Sequence, residues 1–178
     1  MAIVKISSRG PAIYSQTRVG LHGKQYRIYK LRTMRADAEK DTGPVWARPN
    51  DQRVTPVGRW LRKLHLDEIP QLVNVVRGEM ALIGPRPERP EFVEILARKI
   101  PGYMDRHVVL PGITGLAQIH LPPDQDIEGV KRKLLYDLYY IERASWWLDV
   151  RILCCTALRL FGISGSVAAW LCRVPMAD

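Results

Sequence analysis

Leu66-Asp67-Glu68-Ile69-Pro70-Gln71-Leu72-Val73-Asn74-Val75-Val76-Arg77-Gly78-Glu79-Met80-Ala81-Leu82-Ile83-Gly84-Pro85-Arg86-Pro87 sets two adjacent carboxylates beside a short amphipathic run, then returns to a Pro-Arg-Pro turn. Arg59, Arg62 and Lys63 precede it, and Arg86 and Arg89 close it. Asp67 stands where the N-cap of a helix would stand, with an apolar stripe of Ile69, Leu72, Val73 and Val76 and a stop at Gly78. On spacing alone, Asp67 reads as a cap and Glu68 as a first-turn acid favoured by the helix dipole. The same pair also suits chemistry on a phosphate ester. A helix N-terminus and nearby arginines hold an Asp ionised, an ionised carboxylate can attack phosphorus, and surrounding cations offset the repulsion between two anions.

Working outward towards the N-terminus, Thr55-Pro56 supplies a cap and a first helical position. Val57, Trp60, Leu61 and Leu64 then form an apolar stripe, and Arg59, Arg62 and Lys63 lie off it. Residues 35–54 read as a polar surface loop. Residues 11–18 and 24–32 read as strands of a hairpin joined by Gly20-Leu21-His22-Gly23. Alternation in the second arm sets Lys30 and Arg32 on one face, and Tyr29 and Leu31 on the other.

Towards the C-terminus, the prolines around Arg86 stiffen its turn. Glu91 to Lys99 is helical by pattern and stops at Pro101-Gly102. Pro111-Gly112-Ile113-Thr114-Gly115 reads as a turn that lets backbone N–H groups approach an anion. Two helices are expected near 128–143 and 145–161, with Ser145 as the cap between them. From Ile152 to Cys172 the chain is apolar apart from Arg159 and a few small polar residues. Arg159, Gly162 and Gly165 argue against a span of the bilayer and favour a segment lying in the interface or docked on the core.

The 178 residues fit one domain, and an apolar share of 47% with 25% charged residues is ordinary for a folded protein. The formal charge of +9 points to polyanions: nucleic acid, anionic lipid or phosphorylated small molecules. Five tryptophans suit a membrane–water interface. Three cysteines make no disulfide framework, and four scattered histidines make no zinc site. No signal peptide opens the sequence.

Six stretches in order resemble the bacterial sugar transferase family, the monotopic phosphoglycosyl transferases. They are Gln16-Thr17-Arg18-Val19-Gly20, Tyr29-Lys30-Leu31-Arg32-Thr33-Met34, Arg53-Val54-Thr55-Pro56-Val57-Gly58-Arg59, the run from Leu66 to Pro87, Pro111-Gly112-Ile113-Thr114-Gly115-Leu116-Ala117-Gln118, and Asp137-Leu138-Tyr139-Tyr140-Ile141. The resemblance covers residues 7–160. It implies transfer of a sugar-1-phosphate from a UDP-sugar to polyprenyl (undecaprenyl) phosphate, the first membrane step in building exopolysaccharide, O-antigen or a related glycan. It makes Asp67 the nucleophile that forms an aspartyl-phosphosugar and releases UMP. It makes Glu68 its partner in holding Mg²⁺, so that both carboxylates are metal-ligand candidates. Arg86 is the expected phosphate clamp. Lys30, Arg32 and Arg62 are further phosphate partners, and Thr114 and Gln118 are placed in the substrate site by their motif.

The expected fold is α+β: a mostly helical single domain, residues 1–178, with a small β-hairpin, seated at the cytoplasmic face of a bacterial inner membrane against anionic lipid. The family's N-terminal membrane re-entrant helix has no counterpart in Met1 to Pro11, which leaves three expectations: a fragment, a start placed too late, or an oligomer or anchor-bearing partner chain that supplies the anchor. Two rivals stand beside this reading. A nucleic-acid-binding module is disfavoured because the cations cluster around carboxylates. A catalytically inactive scaffold or fragment in a glycan assembly complex is the other.

Overall fold

The computed structural model describes residues 4–5, 10–35, 38, 40, 51–123 and 126–177. Strands β1 (Ile13–Val19) and β2 (Gln25–Leu31) pair antiparallel, from Ile13 opposite Leu31 to Val19 opposite Gln25. The chain reverses between them through a single 3-10 turn at Leu21–Gly23, in which His22 and Gly23 take left-handed φ values of 52° and 76°. The expected hairpin is therefore present. Most of the 35–54 stretch read as a surface loop lies outside the described residues, although Met34 and Val54 at its flanks form a bridge.

Helix α1 (Pro56–Lys63) starts as its sequence dictates. The Thr55 hydroxyl accepts from the Gly58 N–H at 2.9 Å, and Pro56 fills the first turn. Gly58 has no alternative: a Cβ there would lie 2.0 Å from the Thr33 carbonyl oxygen, so α1 can rest flush on the chain leaving β2 only through a glycine. Leu61 is buried, but Trp60, expected on the same stripe, is 58% exposed.

The next segment departs from expectation. His65, at φ 52°, occupies the cap position with no side-chain hydrogen bond, and a 3-10 turn runs over Leu66–Gln71 before helix α2 (Leu72–Val76). Asp67 is thus inside the first turn and caps nothing. The amphipathic face is also inverted. Ile69, Leu72, Val73 and Val76 point outward, with Val76 89% exposed, while Asp67, Glu68, Gln71 and Asn74 face the protein. Periodicity reports that one face is apolar; it does not report what covers that face.

Asn74 explains why the polar face turns inward. It is fully buried, its Nδ2 donates to the Arg27 carbonyl at 2.8 Å and to Glu79 Oε2 at 2.7 Å, and its Oδ1 accepts from the Tyr29 N–H at 3.3 Å. A side-chain amide thus occupies the outer edge of β2, where unpaired backbone groups would otherwise stand. Gly78, at φ 71°, then ends the helix.

Strand β3 (Ala81–Ile83) pairs in parallel with β4 (Gly112–Thr114), which lies inside the stretch read as a turn. The remaining elements are α3 (Pro90–Lys99), a 3-10 turn at Tyr103–His107, α4 (Leu116–His120), α5 (Ile127–Arg143), α6 (Trp146–Leu160) and α7 (Gly165–Leu171). Ser145 caps α6 as its sequence suggests, accepting from the Leu148 N–H at 3.3 Å. The apolar run from Ile152 to Cys172 does not form one rod: it breaks at Gly162, φ 88°, and folds back so that Ala168, Ala169 and Val174 pack with Ile152, Cys155 and Leu116. A second core joins Val19, Val93, Leu96, Tyr103 and Leu134. The result is mixed and mostly helical with two small sheets, and no helix among the described residues is long and apolar enough to cross a membrane.

Candidate active site

Three elements converge on the carboxylate pair. The 3-10 turn presents Asp67 and Glu68, β2 brings Lys30, and the Pro-Arg-Pro turn after β3 brings Arg86. Glu68 Oε1 accepts from Lys30 Nζ at 2.7 Å and from Arg86 Nη2 at 2.6 Å, and Oε2 accepts from Arg86 Nη1 at 3.5 Å. Two cations therefore share one carboxylate in a nearly dry setting. Asp67, 7% exposed with oxygens not sealed from solvent, makes no hydrogen bond or ion pair among the described residues.

The electrostatics divide the pair. Burial works against ionised Glu68, but the charges and hydrogen bonds of Arg86 and Lys30 outweigh it and hold the carboxyl well below its ordinary range. Asp67 goes the other way. Burial raises its pKa, the neighbouring Glu68 charge adds to that, and Lys30, Arg62 and Arg86 oppose it without reversing it. The arginines expected to hold Asp67 ionised do pull its pKa down, but burial and the Glu68 charge outweigh that pull. Lys30 is pushed down to about 8, first by burial and then by Arg86, against the pull of Glu68. Arg86 is pushed up chiefly by Glu68.

The other candidates fall into two groups. Arg62 belongs to the site: its Nε donates to Thr33 Oγ1 at 2.9 Å, and its charge acts on Asp67. Arg32 lies just past β2, is buried, and donates to the Val4 carbonyl at 3.5 Å. Thr114 bonds Thr156 through their hydroxyls at 2.8 Å, and Gln118 Nε2 donates to the Ile113 carbonyl at 2.9 Å. These two side chains bond within the scaffold below the turn. Their backbone matters more directly, since the Thr114 carbonyl accepts from the Gly84 N–H at 3.0 Å and the Gly112 N–H donates to the Pro85 carbonyl at 3.0 Å. Gly112 is required there, because a Cβ would meet Gly84 N at 2.1 Å.

A pair of residues that sequence reasoning missed completes the support. Arg106 and Asp137, each with a side chain 3% exposed, are joined at 2.7 and 3.0 Å. Arg106 also donates to the Tyr103 hydroxyl at 3.0 Å and to the Arg86 carbonyl at 2.9 Å. The buried pair thus fixes the backbone from which the Arg86 side chain projects. The residues lie 31 positions apart in unlike patterns, and the one signal was Asp137 opening the last of the six resembling stretches.

The site thus holds a partly desolvated carboxylate, unpaired among the described residues, beside a neutralised one and within the field of three cations. The chain is similar to UDP-N-acetylgalactosamine-undecaprenyl-phosphate N-acetylgalactosaminephosphotransferase of Aeromonas hydrophila, 46% identical over 150 residues, covering 84% of this chain and 35% of that protein. It is similar to UDP-glucose:undecaprenyl-phosphate glucose-1-phosphate transferase of Xanthomonas campestris pv. campestris, 42% identical over 161 residues, covering 89% and 33%. It is also similar to the uncharacterized sugar transferase EpsL of Bacillus subtilis (strain 168), 37% identical over 165 residues, covering 93% and 77%. The chain spans about a third of the length of the first two relatives. The family profile described as bacterial sugar transferase matches residues 1–162. The chain belongs to the bacterial sugar transferase family.

Proposed function

We propose that the chain is the catalytic domain of a phosphoglycosyl transferase, moving a sugar-1-phosphate from a UDP-sugar to polyprenyl phosphate through an aspartyl-phosphosugar. The observation that carries this reading is the division within the carboxylate pair: Glu68 is spent on Lys30 and Arg86, and Asp67 is left unpartnered among the described residues. An Asp67 oxygen attacks the sugar-proximal phosphorus, forming a P–O bond while the P–O bond to UMP breaks and UMP leaves with its electron pair. A phosphate oxygen of the polyprenyl acceptor then attacks the same phosphorus, and the Asp67 carboxylate departs. Lys30, Arg62 and Arg86 hold positive charge where the phosphate oxygens gather. The printed names of the Aeromonas and Xanthomonas relatives describe transfers to undecaprenyl phosphate, one with N-acetylgalactosamine and one with glucose. The test is UMP release from UDP-N-acetylgalactosamine and UDP-glucose in the presence of Mg²⁺ and polyprenyl phosphate. Release with either donor is expected, and none with any UDP-sugar would sink the reading.

Mg²⁺ suits this donor set through Asp67. Among the described residues no cluster of three or more His, Cys, Asp or Glu side chains is present, and Glu68 reaches a cation only by releasing Lys30 or Arg86. A cation that keeps several waters and draws its remaining oxygens from a diphosphate needs one free carboxylate. Bound there, it would neutralise phosphate charge. Glu68 then acts by positioning the two cations.

The Lys30 shift gives a pH signature. Lys30 is cationic below about 8 and loses its charge as pH rises through that value. The kcat/KM for the UDP-sugar is therefore expected to fall on the alkaline side with a midpoint near 8, since this parameter reports the free enzyme. Lys30→Arg, which stays protonated, should move that limb to higher pH. An unchanged limb in the arginine variant would remove Lys30 from the account.

The proposed seat is the cytoplasmic face of the inner membrane, and the outward apolar face supports contact with a membrane surface. Ile69, Leu72, Val73 and Val76 are exposed directly behind the carboxylate pair, with exposed Arg59 and Lys63 on the neighbouring helix to meet anionic headgroups. Replacing Ile69, Leu72 and Val76 with Ser should leave the melting temperature near that of wild type. It should cut sedimentation with anionic vesicles roughly tenfold or more. Undiminished sedimentation would place the contact elsewhere.

A further inference from the structure

The geometry points to a second phosphate-binding subsite on the β-hairpin side of Arg86, built from Arg18, Tyr26 and Arg86. It extends the transferase reading above by giving that site a second anion position. Arg18 and Tyr26 stand directly opposite each other in the β1–β2 ladder. The next residue, Val19, donates its N–H to the Glu88 carbonyl at 2.9 Å, which lays the end of β1 along the chain just after the Pro-Arg-Pro turn. Gly20 leaves room for the Tyr26 ring, since a Cβ there would come to 3.0 Å from it.

What the protein offers Arg18 is thin. Among the described residues its guanidinium meets one carboxylate, Glu88, through a single contact of 3.4 Å. Arg18 Nε and the Tyr26 hydroxyl are both buried with no hydrogen-bond partner among the described residues. Buried donors left unsatisfied are rare in folded proteins and call for a partner. Burial also lowers the Arg18 pKa; Glu88 opposes this, and Arg86 and Arg89 repel the charge further. The place therefore carries surplus positive charge and two idle donors. Arg86 lies close enough for its charge to act on both Arg18 and Tyr26, and its side chain, 36% exposed, is bonded to Glu68 of the carboxylate pair.

A phosphate suits these donors better than a carboxylate. Its oxygens can take a guanidinium fork and a phenol together, in tetrahedral directions. Two sources share this chemistry: the nucleotide-side phosphate of the donor and the headgroup phosphate of the polyprenyl acceptor. When either binds, Arg18 exchanges its long contact to Glu88 for shorter ones to phosphate oxygen.

The test is calorimetric titration of UMP, and separately of a short-chain polyprenyl phosphate in detergent, into wild type, Arg18→Gln and Tyr26→Phe. Arg18→Gln should weaken one of the two ligands by about 10- to 100-fold, and Tyr26→Phe the same ligand by about 2- to 10-fold. Weakened UMP assigns the donor phosphate, and weakened polyprenyl phosphate assigns the acceptor. Tyr26→Phe removes one unpartnered oxygen and should keep the fold, so it decides the matter if Arg18→Gln does not fold. In turnover the same variants should raise the KM of the affected substrate more than they lower kcat. Wild-type affinity for both ligands in folded variants would overturn the subsite. Because binding is read without turnover, weakened UMP binding alongside no release from any UDP-sugar would instead retain the subsite and fell the transferase reading.

Discussion

Asp67→Asn should lower UMP release from a UDP-sugar by roughly 10⁴- to 10⁶-fold, the scale seen when a nucleophile is removed from a site that otherwise stays whole. The fold should not suffer. Asp67 makes no hydrogen bond or ion pair among the described residues, and its ionised form is disfavoured by burial and by Glu68. Substituting an amide of the same shape removes a desolvated charge and breaks no contact, so the melting temperature should stay level or rise. Glu68→Gln makes the contrast. That carboxylate compensates both Lys30 and Arg86, and losing it leaves two partly buried cations close together without a counter-charge. Glu68→Gln should therefore lose stability as well as activity. Near-normal turnover in folded Asp67→Asn would remove the nucleophile from the account.

The second large effect is expected at a distance from the chemistry. Asp137→Asn leaves the Arg106 guanidinium buried without its charge partner, which costs about 3–5 kcal/mol and a melting temperature lower by on the order of 10 °C for a chain of this size. Stability alone does not distinguish a support from a site, so a second variant is needed. Replacing the pair together, Arg106→Met with Asp137→Leu, removes both charges and should recover much of the stability. It cannot restore the hydrogen bond from Arg106 to the Arg86 carbonyl. The KM for the UDP-sugar should therefore stay several-fold above wild type in a protein that melts near normally. A doubly substituted protein with wild-type KM would reduce Arg106 and Asp137 to structural ballast.

Much of the framework was legible because it is written locally. The hairpin announced itself through glycines flanking two alternating runs, and Thr55 and Ser145 lie where a hydroxyl satisfies the first helical N–H groups. What could not be read was decided by contacts distant in sequence. The spacing of Ile69, Leu72, Val73 and Val76 is the same whether the stripe meets protein or lipid, and Asn74, bonding to β2 nearly fifty residues away, turned the polar side inward. Strand β4 was missed because three residues inside a Pro-Gly-rich turn carry no alternation; their partner is β3, about thirty residues earlier. The carboxylate pair itself was visible as a pair. Its division of labour was not, since that depends on which cations reach Glu68 and on how much water reaches Asp67.

The central claim is a covalent phosphosugar on Asp67, and mass spectrometry tests it most directly. The protein is incubated with Mg²⁺ and UDP-N-acetylgalactosamine or UDP-glucose in the absence of polyprenyl phosphate, quenched in acid and digested. The account predicts a mass increase of one sugar phosphate on the peptide carrying Asp67, lost on adding polyprenyl phosphate and absent from Asp67→Asn. Turnover with acceptor present, but with the adduct on another residue or on none, would contradict it.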